Sequence, residues 1–281
     1  MKLLEKIFSI KNEGERKVVC VLGVKFKFKS SVKLCERIIK RIEYVRVPGF
    51  SPVSTIHQQI QSVVHIALLH QKSFSNLRYI NAGKDVVLCA TGPTFDYYSP
   101  IPGAKHIGLK DAFRVERIKF DYLFHHDPSC YPDKIVPVDF VNYRGKECIK
   151  FIGNSVPFVA GESPFDNDIR FFCSANEINS QIDYLPLPDY CSIVFPAFAF
   201  ALWTKPKRIY IVGADCSTGH AKGIKIEHSA DATFLVGAWK KMNEFAQRYY
   251  SDVEIISINP VGLKGIFKDE YTENYLKEVS L

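Results

Sequence analysis

The chain contains two apolar runs rich in β-branched residues, and each ends at a glycine beside a small polar residue. The first lies in the segment from Val86 to Phe95, which reads VVLCATGPTF and has its glycine at 92. The second lies in the segment from Arg208 to Asp215, which reads RIYIVGAD and has its glycine at 213. Strands buried on both faces of a sheet have this continuous apolar character, and in parallel α/β sheets their carboxyl ends face the ligand crevice. The two runs therefore predict a parallel sheet whose ligand site lies where these strands end.

Further apolar runs predict more strands, and the stretches between several of them predict helices. The predicted strands are Asp85–Ala90, His106–Leu109, Tyr122–His125, Ile149–Ile152, Phe171–Ser174, Arg208–Val212 and Glu254–Ile258, and the main predicted helices are Ile193–Trp203 and Ala230–Tyr250. Strands that alternate with helices indicate an α/β fold with a Rossmann-like, doubly wound and mostly parallel sheet. Irregular segments rich in Pro and Gly, at 99–103, 136–146 and 156–168, are expected to flank a cleft.

The chain is expected to have three parts. Residues 1–30 predict a basic β-hairpin as an accessory segment, because an apolar run, Gly23 and then alternating Lys and apolar residues follow one another between Lys17 and Lys29. Residues 31–83 predict a mostly helical segment packed on the main domain. Residues 84–281 predict a Rossmann-like nucleotide-binding catalytic domain.

Composition sets limits on partners and location. With 281 residues and a net charge of +7, the chain is long enough for a full core and suits a polyanionic partner, but it carries no recognised nucleic-acid motif. Eight scattered cysteines without a C-x-x-C pair indicate reduced thiols. No secretory signal and no apolar stretch of about 20 residues is present. We expect a cytoplasmic protein, with peripheral contact to the inner membrane through residues 17–29 as an open alternative.

The turn after the first strand is the first candidate ligand site. Gly92 allows the backbone to approach a ligand closely, and Thr91, Thr94 and neighbouring N–H groups can hold a phosphate or a ribose. The turn matches neither the G-x-G-x-x-G fingerprint nor a Walker loop. A plain connection between a strand and a helix is the alternative.

A second candidate follows the strand that ends at His125. The sequence His125-His126-Asp127-Pro128-Ser129 contains metal-ligand types, but adjacent side chains of a strand point to opposite faces and no second ligand cluster stands out. We therefore expect no metal here, and a polar nucleotide contact from Asp127 and Ser129 instead.

A third candidate begins at Asp215. The loop from Cys216 to Glu227 contains Gly219, Gly223 and cationic residues, as do loops that close over leaving phosphates. His228 follows it, and a histidine side chain suits a general base because its ordinary pKa lies close to neutral pH. A surface histidine near the start of a helix is the alternative.

The order of these motifs resembles that of the bacterial lipooligosaccharide sialyltransferases of glycosyltransferase family 42. It is also similar to the related family of motility accessory factors and archaeal hydroxymethylpterin diphosphokinases. The resemblance spans about residues 84–267 and is confined to short motifs: the Gly-Pro-Thr turn, Asp-Pro-Ser, the strand ending in Gly-Ala-Asp, and Glu-His-Ser. It implies a bacterial enzyme of lipooligosaccharide biosynthesis.

The resemblance also implies roles for particular residues. His228 corresponds to the catalytic histidine. Contact with the nucleotide is implied for Thr91, Gly92, Pro93, Thr94, Lys110, Asp111, Asp127, Ser129, Cys191, Ser192 and Asp215. The family's loop tyrosines, which bind the leaving phosphate, are missing from residues 216–227, where Ser217, Thr218, Lys222 and Lys225 are the candidate substitutes.

The function that this resemblance implies is inverting, metal-independent transfer of sialic acid or a similar acidic sugar from a CMP-sugar donor to a cell-surface glycan or glycolipid. No cofactor is then needed, because the CMP-sugar is itself a substrate. Two alternatives stay open: a phosphotransferase of the diphosphokinase type that uses ATP and Mg²⁺, and a non-catalytic nucleotide-binding protein of surface assembly. Oligomerisation is left open.

Overall fold

The computed structural model describes residues 8–13, 16–21, 24–29, 70–126, 138–154, 168–174, 178–224 and 231–280. The chain divides into two compact units, residues 1–64 and residues 65–281. The boundary falls inside the segment 31–83 that is predicted to be helical. Residues 30–69, which carry most of that prediction, lie outside the described residues.

The first unit contains three antiparallel strands: β1 (Phe8–Glu13), β2 (Arg16–Val21) and β3 (Val24–Lys29). They lie in the order β1-β2-β3. Strand β2 pairs with β3 from Arg16 opposite Lys29 to Val21 opposite Val24. The alternating Lys and apolar residues of the basic segment therefore lie on β3.

The second unit is built on a nine-stranded parallel sheet, which gives the chain an α/β fold. Its strands are β4 (Asp85–Cys89), β5 (Lys105–Leu109), β6 (Tyr122–His125), β7 (Ile149–Asn154), β8 (Asp168–Ser174), β9 (Leu187–Pro188), β10 (Arg208–Val212), β11 (Glu254–Ile258) and β12 (Lys268–Glu270). The seven longer strands coincide with the seven predicted from apolar runs, with a difference of at most three residues at either end. The two short strands, β9 and β12, were not predicted.

The strand order places a reversal in the middle of the sheet. The order is β12-β11-β10-β4-β5-β6-β7-β8-β9, and each neighbouring pair is parallel. From β4 the chain adds strands outward as far as β9, then returns to the other side of β4 with β10 and proceeds in the opposite direction. The connections after β4 and β10 therefore diverge, which opens a crevice at the carboxyl ends of these two strands.

Among the described residues of this unit there are fewer helices than strands. Residues 70–76 are helical, and the further helices are α1 (Val138–Asn142), α2 (Val194–Trp203), α3 (Ala232–Tyr249) and α4 (Glu273–Val279), with 3₁₀ turns at Pro93–Tyr97, Lys110–Arg114 and Gly145–Glu147. Helices α2 and α3 lie within the predicted ranges. Helix α1 lies in a segment predicted to be irregular, because five residues are too few to show a helical period.

Both faces of the sheet are buried, and alternate residues of each strand serve the two faces. Val86 and Leu88 of β4 pack with α2 and with Trp239 of α3 in one cluster, whereas Val87 and Cys89 belong to a second cluster on the other face. All ten residues of α2 are buried. The continuous apolar character of the central strands follows from this double burial.

No helix among the described residues is both long enough and apolar enough to cross a membrane.

Candidate functional site

A cavity of about 330 Å³ opens at the reversal between β4 and β10. Its walls come from the turns that follow β4, β5 and β10, from the segment that leads into α2, and from one face of α3. Seven of the residues singled out from the sequence line it: Thr91, Gly92, Lys110, Cys191, Ser192, Asp215 and Ser217. The volume lies at the small end of the range of ligand pockets, roughly 300–1,000 Å³.

The floor of the cavity depends on a close approach between the turns after β4 and β10. The Gly92 N–H donates to the carbonyl of Gly213 at 2.8 Å. A Cβ atom on Gly92 would lie 2.5 Å from that carbonyl oxygen and 2.6 Å from Oδ2 of Asp215. Glycine is therefore required at position 92 for space rather than for an unusual backbone angle, since its φ is −68°.

The carboxylate of Asp215 holds the same two turns together. It accepts a hydrogen bond from the Thr94 N–H at 2.8 Å and a second from the Thr94 hydroxyl. Asp215 and Thr94 are both buried. Burial raises the pKa of the Asp215 carboxyl above its ordinary value, and the two hydrogen bonds from Thr94 act against that rise. Asp215, which lines the cavity, is therefore held in place by its two hydrogen bonds from Thr94.

The loop after β10 folds back onto the turn after β4. The Ala221 N–H donates to the carbonyl of Thr91 at 2.9 Å, and Nδ1 of His220 lies 3.4 Å from the hydroxyl of Thr91. The Lys222 N–H donates to the Asp96 carboxylate at 3.0 Å. This anchoring brings His220 and Ser217 to the cavity wall, while the exposed Lys222 does not line it.

A tight turn carries Asp189 and Cys191 to the opposite wall. Tyr190 and Cys191 both have positive φ angles, 40° and 58°, which non-glycine residues adopt rarely. The Asp189 side chain accepts a hydrogen bond from the Cys191 N–H, and the Asp189 carbonyl accepts one from Ser192 at 2.7 Å. These bonds stabilise a conformation that presents the exposed thiol of Cys191 and the start of α2 to the cavity.

His126 lines the cavity and follows β6 directly. Its side chain is 4% exposed, and neither ring nitrogen has a hydrogen-bond partner among the described residues. Nε2 lies 3.4 Å from Oδ2 of Asp189, within ion-pair range. The close approach of His126 lowers the pKa of the Asp189 carboxyl below its ordinary value. The preceding residue, His125, instead contacts Phe140, at a ring distance of 5.3 Å.

The remaining predicted residues divide into two groups. Five are described but do not line the cavity: Pro93, Thr94, Asp111, Thr218 and Lys222. Asp111 instead binds Arg114 at 2.9 Å. Asp127, Ser129, Lys225 and the predicted general base His228 lie outside the described residues.

Sequence reasoning missed several residues of the cavity. Leu235 and Trp239 of α3 form part of its wall, although their helical spacing assigned them to the core. Asp189 carried only the weak signal of a short polar residue before an apolar helix, which is typical of a turn. His126 was noticed in the sequence but was separated from its neighbour Asp189 by 63 positions, so only the fold joins them.

The cavity is mostly apolar, with a few polar and charged side chains in its walls. The residues that line it include Thr91, Ser192 and Ser217, which carry hydroxyls, the cationic Lys110, and the aromatic Trp239. Comparison of the chain with protein-family models, with curated proteins and with solved structures finds no match in any of the three.

Proposed function

We propose that this protein is a glycosyltransferase that transfers sialic acid or a similar acidic sugar from a CMP-sugar donor to a cell-surface glycan. The proposal includes a Rossmann-like class for the parallel sheet. One observation carries it. Residues selected from four separate segments by resemblance to the sialyltransferase family, at 91–92, 110, 191–192 and 215, line a single cavity.

The position of the cavity supports the proposal by a separate argument. Open parallel sheets bind ligands where the strand order reverses, and the cavity lies at the reversal between β4 and β10. That argument uses only the topology and does not depend on any resemblance. It favours a small-molecule ligand over a purely structural role for the turns.

The charged side chains of the cavity bear on whether nucleotide binding there would need a metal ion. Lys110 is the one Lys or Arg side chain among the described residues that line it. Of the two carboxylates there, Asp215 accepts two hydrogen bonds from Thr94, and Asp189 binds the Cys191 N–H and lies beside His126. A Mg²⁺ ion prefers several free oxygen ligands in octahedral geometry. We therefore expect nucleotide binding that needs no added Mg²⁺.

The proposed step is a direct displacement. The acceptor hydroxyl oxygen attacks the anomeric carbon of the donor while His228 takes the hydroxyl proton. The bond between that carbon and the phosphate oxygen breaks, its electron pair leaves with CMP, and the configuration inverts. Lys110 stabilises the charge on the departing phosphate.

Release of CMP from CMP-activated acidic sugars, with a panel of glycan acceptors, tests this function. We expect turnover by the full chain, a loss of at least about 100-fold in His228→Ala, and CMP affinity within about twofold of the wild type in that variant. His57→Ala, outside the region of resemblance, is the matched control. Turnover of ATP that requires Mg²⁺ would instead support the phosphotransferase alternative. CMP binding without turnover of any CMP-sugar would support the non-catalytic one.

A further inference from the structure

Three side chains from different strands and turns meet beside the cavity. His126 follows β6, Cys173 lies near the end of β8, and Asp189 follows β9. One ligand atom from each lies within 4.8 Å of the other two. The proposed transfer uses none of these three groups.

The imidazole of His126 is the observation that needs an explanation. It is buried, and both of its nitrogens lack a hydrogen-bond partner among the described residues. Buried polar groups are nearly always satisfied by a partner, by water or by an ion. A methyl group on Gly153 would collide with Nδ1 of His126, so the backbone of β7 fixes the ring in this position. Packing against β7 therefore holds the ring where neither nitrogen makes a hydrogen bond within the described residues, although Nε2 lies within ion-pair range of Asp189.

The separation of the His126 and Asp189 ligand atoms fits a tetrahedral ion. Bonds of about 2.0–2.1 Å to nitrogen and about 2.0–2.2 Å to oxygen place the two atoms about 3.4 Å apart. His126 Nε2 and Asp189 Oδ2 lie 3.4 Å apart. A sulfur ligand in the same tetrahedron lies about 3.6 Å from the other two atoms. The Cys173 thiol lies within 4.8 Å of both atoms, an upper limit that exceeds this ideal distance by about 1 Å.

The donor set selects the type of ion. One thiolate and one carboxylate balance the charge of a divalent cation, and a neutral imidazole completes the set. Sulfur and imidazole ligands favour Zn²⁺ over Mg²⁺ or Ca²⁺. The second oxygen of Asp189 already accepts the Cys191 N–H, which orients the carboxylate as outer hydrogen bonds do in metal sites.

The geometry points to a zinc site formed by His126, Cys173 and Asp189, with its fourth position open to the cavity. His126 and Asp189 both line the cavity, so an exchangeable ligand reaches the ion from that side. Three protein ligands with one open position are the arrangement of zinc sites that bind water or a substrate group. This site differs from the sequence-based expectation that the protein holds no metal, and it does not depend on the proposed transfer.

Metal analysis of the full chain, purified without chelator, tests the site. We expect about one zinc ion per chain, and a Zn²⁺ affinity at least about tenfold weaker in each of His126→Gln, Cys173→Ser and Asp189→Asn. Cys191→Ser is the matched control, because it removes a thiol from the same cavity whose sulfur is not part of the cluster. Circular dichroism of every variant establishes that it is folded.

Titration of metal-free protein with Co²⁺ locates the thiol. A thiolate-to-cobalt charge-transfer band is expected in the wild type and in Cys191→Ser, and it is expected to be absent in folded Cys173→Ser. Stoichiometric zinc that all three ligand variants retain would overturn the site, as would a cobalt band lost only in Cys191→Ser. Absence of tight Zn²⁺ and Co²⁺ binding by the folded wild type would also overturn it. None of these outcomes bears on CMP binding, which is measured separately.

Discussion

Thr94 and Asp215 are joined by two hydrogen bonds across 121 positions of sequence, one from the Thr94 N–H and one from its hydroxyl. Thr94 belongs to the turn after β4, and Asp215 belongs to the turn after β10. These two strands are neighbours at the reversal of the sheet. The pair therefore holds together the two turns between which the cavity lies.

Replacing Thr94 with valine removes the hydroxyl and keeps the backbone bond and the shape. We expect the free energy of unfolding to fall by about 1.5–3 kcal/mol, because a buried carboxylate loses a hydrogen bond. Urea denaturation measures the loss. Thr218→Val, at an exposed position outside the cavity, is the matched control and is expected to change stability by less than about 0.5 kcal/mol. Equal effects of the two substitutions would show that the Thr94 hydroxyl contributes nothing specific.

The raised pKa of Asp215 predicts a particular dependence of stability on pH. Burial raises this pKa, so the native state binds the proton more tightly than the unfolded state. The resulting contribution to the free energy of unfolding is fully present below the ordinary carboxyl pKa of about 3.9. It is lost as the pH rises through the raised pKa of the native state. In Asp215→Asn the contribution is absent at every pH.

The measurement is the difference in unfolding free energy between Asp215→Asn and the wild type, from about pH 3.5 to about pH 7. We expect this difference to shift in favour of the variant as the pH rises through that window, and then to level off. Asp252→Asn is the control, and its difference from the wild type is expected to change with pH in the opposite direction. The reason is that a hydrogen bond from Lys205 lowers the pKa of the exposed Asp252 carboxyl. A difference for Asp215→Asn that falls with rising pH would contradict the account.

Gly92→Ala tests the close approach of the two turns. The new methyl group would meet the Gly213 carbonyl and the Asp215 carboxylate, and we expect a loss of about 1–3 kcal/mol together with a loss of nucleotide binding. Gly237→Ala is the control, since its Cβ meets nothing within 4 Å and alanine is the better helix former in α3. Thermal unfolding of both variants measures the loss of stability, and CMP titration measures the loss of nucleotide binding. Normal CMP affinity in a folded Gly92→Ala protein would place the nucleotide elsewhere.

The long strands and the position of the cavity could be predicted because their signals are local. Each of the seven predicted strands is a short, mostly apolar run, and Gly92 and Gly213 mark the turns that follow β4 and β10. Strand β12 could not be predicted in this way, because Lys268–Glu270 has three residues that are all charged. Strand β9 has only two residues, so neither strand shows a period.

The cluster of His126, Cys173 and Asp189 could not be predicted from the sequence, because it depends on the register in which neighbouring strands pair. His126, Cys173 and Asp189 follow or end three strands, and their distance depends on how β6, β7 and β8 pair and on the turn through Tyr190. The adjacent residues at positions 125–127 are of metal-ligand types. His125, however, faces the side of the sheet opposite to His126 and contacts Phe140. Spacing along the chain is a poor guide to ligands contributed by different strands.

Lys110→Gln tests the charge that we assign to the phosphate. We expect CMP affinity to fall about tenfold, which corresponds to about 1.4 kcal/mol, with little change in the affinity for cytidine. Isothermal titration with both ligands measures the contrast. Lys119→Gln, an exposed lysine outside the cavity, is the matched control and is expected to bind CMP as the wild type does. An equal loss of cytidine and CMP affinity in Lys110→Gln would indicate a structural role for Lys110.

The most direct test of the account is the binding of CMP, UDP, GDP and ATP to the full chain, by thermal shift and calorimetry, with and without Mg²⁺. The account predicts that CMP stabilises the protein, equally in the presence and absence of added Mg²⁺, and that Gly92→Ala abolishes the effect. Binding of ATP that depends on Mg²⁺, or no response to any of the four nucleotides, would contradict it.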